Sequence, residues 1–264
     1  MTRLLVLGSS HVAALRQAAP AFAEQQPDVQ LSFFAAPAPA FRLGRVGSKG
    51  FFTPKYRSKG DRQLGRQVND GALNIDLTVF DKVLVSGFRF SLGDAARLML
   101  EFDLLEGADT GKARRCSRGF AQAVIDQSVE REMKLARNCL GENRNYVLTD
   151  APYPAESIGA RIGDYGPAES LVAFMNHPDA PDLFAYWQAS VRQAVEAAGY
   201  AYLPQPASTV AKPFATQADY TAAAPHFDGS TLGWTDHRHM NAQFGLQVLT
   251  AFADHTLTPS PLAA

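Results

Sequence analysis

Two short stretches hold the residue types that carry out acyl chemistry. The first is Gly8-Ser9-Ser10-His11, where an apolar run stops and an alanine-rich stretch begins. The second is Asp236-His237-Arg238-His239, near the end of the 264-residue chain. A serine hydroxyl is a poor nucleophile until a base removes its proton. Histidine is the usual base, and a carboxylate beside it fixes the ring in the productive tautomer. Asp236 and His239 are spaced i,i+3 at the start of a helix-like segment, which puts both on one face. Asp236 can thus orient His239 within one short segment, and Ser10 supplies the nucleophile if the fold brings it there. By itself, a serine on such a turn has two other uses. It caps the following helix, or its turn cradles a phosphate.

The surrounding elements must do the positioning. Residues 3–7, which hold Leu4-Leu5-Val6-Leu7, read as a strand buried on both faces. Further strands are expected at 29–37, 82–87, 145–152 and 200–204. Helices are expected at 11–24, 91–105, 118–138, 181–198 and from His239 to Ala253, with Pro20 weakening the second half of the first. This alternation predicts a parallel sheet covered by helices on both faces. Ligands of such sheets bind outside the carboxyl ends of the strands. The loops after the first and last strands share that edge, so Ser10 and the Asp236–His239 pair can meet. The chain reads as one α/β domain over 1–264, with long loops at about 38–80, 153–180 and 207–238.

With these motifs in place, the chain resembles the SGNH/GDSL hydrolase superfamily, as a divergent member. The resemblance implies a flavodoxin-like three-layer α/β/α sandwich with a parallel five-stranded sheet in the order 2-1-3-4-5. It implies a serine-dependent ester hydrolase or acyltransferase, with Ser10 as nucleophile, His239 as base and Asp236 as the orienting acid. The sequence departs from the family pattern twice. Ser9 stands where the family usually has aspartate. Arg89, in Gly87-Phe88-Arg89-Phe90, stands where the family's asparagine donates to the oxyanion. The family's second oxyanion donor is a glycine N–H after strand two. Gly44, Gly47 and Gly50 are candidates, with Gly44 preferred. Arg89 either replaces the asparagine with a charged donor or marks a different substrate or a lost activity.

The remaining polar residues carry weaker signals. His226 and Asp228 form a rival acid–base pair with less apt spacing. His11 reads as a residue packing in the first helical turn, His237 as solvent-facing, and Asp150 as a turn or cap residue. Cys116 and Cys139 have no histidine nearby in sequence and read as ordinary thiols.

Composition narrows the classes. The chain is 46% hydrophobic with a net charge of −1, so it can bury a large core and lacks the general positive charge of a nucleic-acid or membrane binder. No apolar run is long enough to span a bilayer, and the N-terminus lacks a signal-peptide pattern. Two cysteines make no disulfide framework, and no zinc-ligand spacing or nucleotide-binding glycine motif is present. These features predict a cytoplasmic protein, while the SGNH/GDSL resemblance implies a small-molecule or saccharide ester as substrate and no need for a metal or organic cofactor. They point to neither nucleic acid nor membrane as a partner and leave the oligomeric state open.

One segment breaks the neutral balance. Residues 41–67 hold Arg42, Arg45, Lys49, Lys55, Arg57, Lys59, Arg62 and Arg66 against one acid, Asp61. Phe51, Phe52 and Tyr56 are interleaved. The segment leaves the carboxyl end of strand two, so it either favours an anionic substrate or forms a solvated basic loop. The alternative to an enzyme is a catalytically silent module that holds a phosphorylated or acidic ligand at the Ser9–Ser10 turn and Arg89.

Overall fold

Leu4, Leu5, Val6 and Leu7 are completely buried in the computed structural model, which describes residues 1–142, 145–225 and 236–257. They form β1 (Thr2–Gly8), which pairs in parallel with β2 (Val29–Ala35) and with β3 (Lys82–Ser86). β3 pairs with β4 (Tyr146–Thr149), and β4 with β5 (Ala201–Leu203), both in parallel. The order across the sheet is β2-β1-β3-β4-β5, as the family resemblance implied.

The described helices are α1 (Val12–Gln25), α2 (Ala38–Arg42), α3 (Lys59–Val68), α4 (Gly93–Glu101), α5 (Arg118–Leu140), α6 (Ala168–Met175), α7 (Ala180–Ala197) and α8 (Ala242–Leu257). Strand alternation divides the interior into two layers. Leu4, Val6, Leu84 and Val147 pack with Leu15 and Phe22 of α1 and with Phe244 and Leu249 of α8. Leu5, Leu7, Val85 and Leu148 face the other way, onto Met99 of α4, Ile125 of α5 and Trp187 of α7. The result is a three-layer α/β/α sandwich.

Pro20 lies inside α1 without ending it. Ala18 and Phe22, on either side, are buried in the layer shared with α8, and that packing outweighs one missing backbone donor. The helix expected at 91–105 ends at Glu101 instead. Asp103 is buried and accepts hydrogen bonds from the Thr110 N–H and hydroxyl and from the Lys112 N–H. These bonds draw Phe102–Leu104 out of the helix into a short strand beside Arg114–Cys116. The long loops carry small elements of their own. Residues 38–80 hold α2, α3 and a three-stranded antiparallel sheet, while 153–180 hold a 3-10 turn and α6.

Two glycines set the distances that matter for the site. A Cβ on Gly8 would stand 1.9 Å from the Ser86 carbonyl oxygen, so β1 can end against β3 only with glycine there. A Cβ on Gly245 would stand 2.2 Å from the Ala14 carbonyl oxygen, so this residue lets α8 seat closely on α1. Gly245→Val is therefore expected to cost about 1–3 kcal/mol of stability. It should also push the helix that follows His239 away from the helix that follows Ser10. Thermal unfolding checks the loss of stability.

Candidate active site

β1 ends at Gly8 and the chain turns sharply. The Ser9 N–H donates to the Ser86 carbonyl at 3.0 Å, which pulls Ser9 into the interior. The carbonyls of Ser9 and Ser10 accept from the Val12 and Ala13 N–H groups and start α1. No side chain caps this helix, so capping is not what the serines do. Ser10 is left partly accessible at the carboxyl end of β1. Its own N–H donates to no acceptor among the described residues.

The structure brings Ser10, His239 and Asp236 together across 229 positions of sequence between the serine and the histidine. His239 Nδ1 lies 2.7 Å from Asp236 Oδ2, and its Nε2 lies 2.9 Å from Ser10 Oγ. The ionised carboxylate can only accept a hydrogen bond, so Nδ1 carries the ring proton and Nε2 is free to accept a hydrogen bond from the Ser10 hydroxyl. Asp236 Oδ1 also accepts the backbone N–H groups of Arg238 and His239, at 2.8 and 2.9 Å. Burial alone would raise the Asp236 pKa. The His239 ring bond and the two backbone donors override it and hold the carboxyl well below its usual range.

Neighbouring residues pin this segment. His237 is buried rather than solvent-facing. Its Nδ1 lies 3.1 Å from Ser157 Oγ, and its carbonyl accepts the Ala155 N–H. Asn241 Oδ1 accepts the Gln243 and Phe244 N–H groups and so caps α8, while its Nδ2 donates to the carbonyls of Asp219 and Ala222. His239 is thus held between two anchored residues.

The glycine candidates for the second oxyanion donor do not fit. The Gly44 N–H donates to the Phe41 carbonyl, Gly47 to Phe51 and Gly50 to Gly47, each at 2.9 Å. Gly44 is also packed against the Phe52 ring. The loop closes its own hydrogen bonds and leaves none of the three donors free.

Arg89 follows β3 at the same edge of the sheet. Phe88 and Phe90 on either side are buried, and the Arg89 N–H donates to Glu132 Oε1 at 2.7 Å. The backbone is thereby fixed, and the guanidinium makes no hydrogen bond among the described residues. Partial burial, and then the charges of Arg238 and Arg42, lower its pKa from the ordinary arginine value, although much of the side chain reaches solvent.

Beside Ser10 and His239 lies a cavity of ≈ 230 Å³, lined by His11, Arg89, Arg97, Arg131 and Arg238 among others. The basic segment 41–67 contributes nothing to this lining. Arg42 is instead paired with buried Glu132 at 2.5 Å, and Arg45 donates to the Gly44 carbonyl. The positive residues at the cavity come from the loop after β3, from α4 and α5, and from the turn before α8. Sequence reasoning missed this because the four arginines are scattered along the chain and only the sheet topology gathers them.

His11 is a second residue whose position could not be read in advance. Its ring lies 5.2 Å from that of His239, and it also lines the cavity. Burial, and then the charges of His239, Arg89 and Arg238, push its pKa well below the usual histidine value, so the imidazole is neutral. Asp150 is neither a turn nor a cap residue. It is buried and accepts from the Tyr202 and Tyr153 hydroxyls, and burial raises its pKa to about 7. Burial likewise pushes the Cys139 thiol up to about 12. His226 and Asp228 lie outside the described residues. Among the described residues no group of three or more His, Cys, Asp or Glu is placed to hold a metal ion, and no helix is long and apolar enough to cross a membrane.

No family model matches the chain, and no curated protein matches it. Among solved structures it is similar to the periplasmic domain of a lipopolysaccharide acetyltransferase from Salmonella ser. Paratyphi A. The identity is 11%, over 97% of this chain and 84% of that one, with a TM-score of 0.39. A likeness at that score carries no weight for function.

Proposed function

We propose that the protein is a serine-dependent ester hydrolase, or its acyltransferase counterpart, of SGNH type. The observation that supports this reading is the hydrogen-bonded chain Ser10 Oγ–His239 Nε2 and His239 Nδ1–Asp236 Oδ2, at 2.9 and 2.7 Å. Ser10 Oγ attacks the acyl carbonyl while its proton passes to His239 Nε2. The carbonyl π pair moves onto oxygen and forms a tetrahedral oxyanion. Collapse breaks the bond to the alcohol, which leaves with the proton from His239. Water or an acceptor alcohol then gives its proton to His239 and attacks the acyl-serine, and collapse breaks the acyl–Oγ bond while His239 returns the proton to Ser10.

The free N–H of Ser10 and the guanidinium of Arg89 are the donors assigned to the oxyanion. If Arg89 acts there, Arg89→Ala should lower kcat by about 10²–10³-fold with a smaller change in KM. A rise in KM alone would mean that Arg89 binds ground-state charge instead. The proposed reaction as a whole is tested by labelling with a fluorophosphonate, which needs an activated serine and no knowledge of the substrate. Wild type should label at Ser10, and Ser10→Ala should not.

The second reading is a silent module that binds a phosphorylated or acidic ligand. Arg89 in the place of the family's asparagine, beside an arginine-lined cavity, favours it. Absence of labelling together with retained ligand binding would select it.

A further inference from the structure

The cavity beside Ser10 has an unbalanced charge. Four arginines line it against a single acid, Asp94. Asp94 is already engaged twice, by Arg131 at 2.8 Å and by Arg97 at 3.9 Å. Arg89 and Arg238 form no ion pair among the described residues. Arg238 rests over the Tyr165 ring at 5.4 Å, and the Glu132 carboxylate near Arg89 is taken up by Arg42 and by the Arg89 N–H. His11 adds a separate signal. It is 6% exposed, it lines this cavity, and its Nδ1 is buried without a hydrogen-bond partner among the described residues.

Two neighbouring cations without a counter-charge repel each other, and an anion placed between them relieves the repulsion. The planar fork of arginine matches the oxygens of carboxylates and phosphates. Much of the remaining wall is apolar or aromatic, including Phe90, Pro152, Leu171 and Phe214. At ≈ 230 Å³ the space falls below the ~300–1,000 Å³ of common ligand pockets and suits a ring-sized group.

We propose that this cavity binds the anionic portion of the substrate, a carboxylate or phosphate borne on a ring-sized group, with Arg238 as its principal partner. The inference rests on the ester-cleaving reading of Ser10 and names the substrate class for that site. Arg89, with five N–H donors, adds its charge to the same field while one edge serves the oxyanion. His11 forms part of the same wall, one ring away from the base.

Binding can be measured without turnover. Ser10→Ala protein is titrated calorimetrically with phenyl phosphate, benzoate and benzamide, which share a ring and differ in charge. At least one anion should bind about tenfold or more tightly than benzamide, and which of the two does so separates the phosphate source from the carboxylate source. Added salt should weaken the anions and spare benzamide. Arg238→Gln, at an exposed position, should reduce the anion affinity toward that of benzamide. Equal binding of all three compounds, or unchanged anion affinity in the Arg238→Gln background, overturns the proposal. Fluorophosphonate labelling of the wild type separates the two claims. Anion-selective binding without labelling keeps the cavity assignment and removes the hydrolase. Labelling without anion selectivity does the reverse.

Discussion

Ser10→Ala is expected to lower ester cleavage by about 10⁴–10⁶-fold, and His239→Ala by a similar factor. The double variant should be scarcely worse than either single one. Ser10 Oγ and His239 Nε2 share one hydrogen bond at 2.9 Å, and in the proposed mechanism they act as a unit, so losing either leaves the other without its task. Ser9→Ala is the control. Ser9 is buried against Ser86 and belongs to the turn rather than to the proton relay, so its loss should be far milder. The measurement is kcat on a small aryl ester such as 4-nitrophenyl acetate, with circular dichroism to verify folding. Equal rates in wild type and Ser10→Ala would remove Ser10 as nucleophile.

The strands and long helices were legible because their patterns are strong. Leu4-Leu5-Val6-Leu7 has no polar residue to offer solvent, so only a central strand accommodates it. The helix at 118–138 ends in the structure at Leu140, against Gly141 with φ at 67°. The helix expected to reach 105 failed for a reason that local pattern does not carry. Asp103 satisfies three donors from residues later in the chain, and no periodicity announces that. The small elements inside 38–80 were hidden for a similar reason. Two-residue strands such as Arg45–Val46 are stabilised by their partners rather than by their own propensity.

At the site, the pairing of Asp236 with His239 was legible because it is local, and its meeting with Ser10 followed from sheet topology. The oxyanion side was not legible. Gly44 has the right residue type and the right strand before it, but the type does not reveal that its N–H is already donated to Phe41. The basic segment 41–67 misled in the same way, because charge density along a sequence does not say where the charges point. His237 was misread because a polar residue on a short loop usually faces water, whereas Ser157 and Ala155 hold this one inside. A signal for His11 did exist, since it directly follows the proposed nucleophile, but only its ring contact with His239 gives it a place at the site.

Asp236→Asn should lower kcat by about 10⁴-fold while leaving the fold intact. The asparagine side-chain oxygen can still accept the N–H groups of Arg238 and His239, so the turn that presents His239 survives. Its amide group, however, offers protons to His239 Nδ1, where the carboxylate had accepted one. The ring answers by moving its own proton to Nε2, which then points an N–H at Ser10 and can no longer take the hydroxyl proton. Asp236→Ala should lose both functions, with a similar fall in kcat and a lower Tm, because the two backbone donors are then left unpaired. Linkage gives a further check. The Asp236 pKa is depressed in the folded protein, so its stabilisation is fully present above the ordinary aspartate range and is lost as pH falls through the depressed value. Acid unfolding of Asp236→Asn should therefore be less steep than that of wild type at the low-pH end. The decisive pair of measurements is kcat and Tm for wild type, Asp236→Asn and Asp236→Ala at neutral pH. If Asp236→Asn keeps nearly full activity while Ser10→Ala has none, the carboxylate does not set the tautomer of His239.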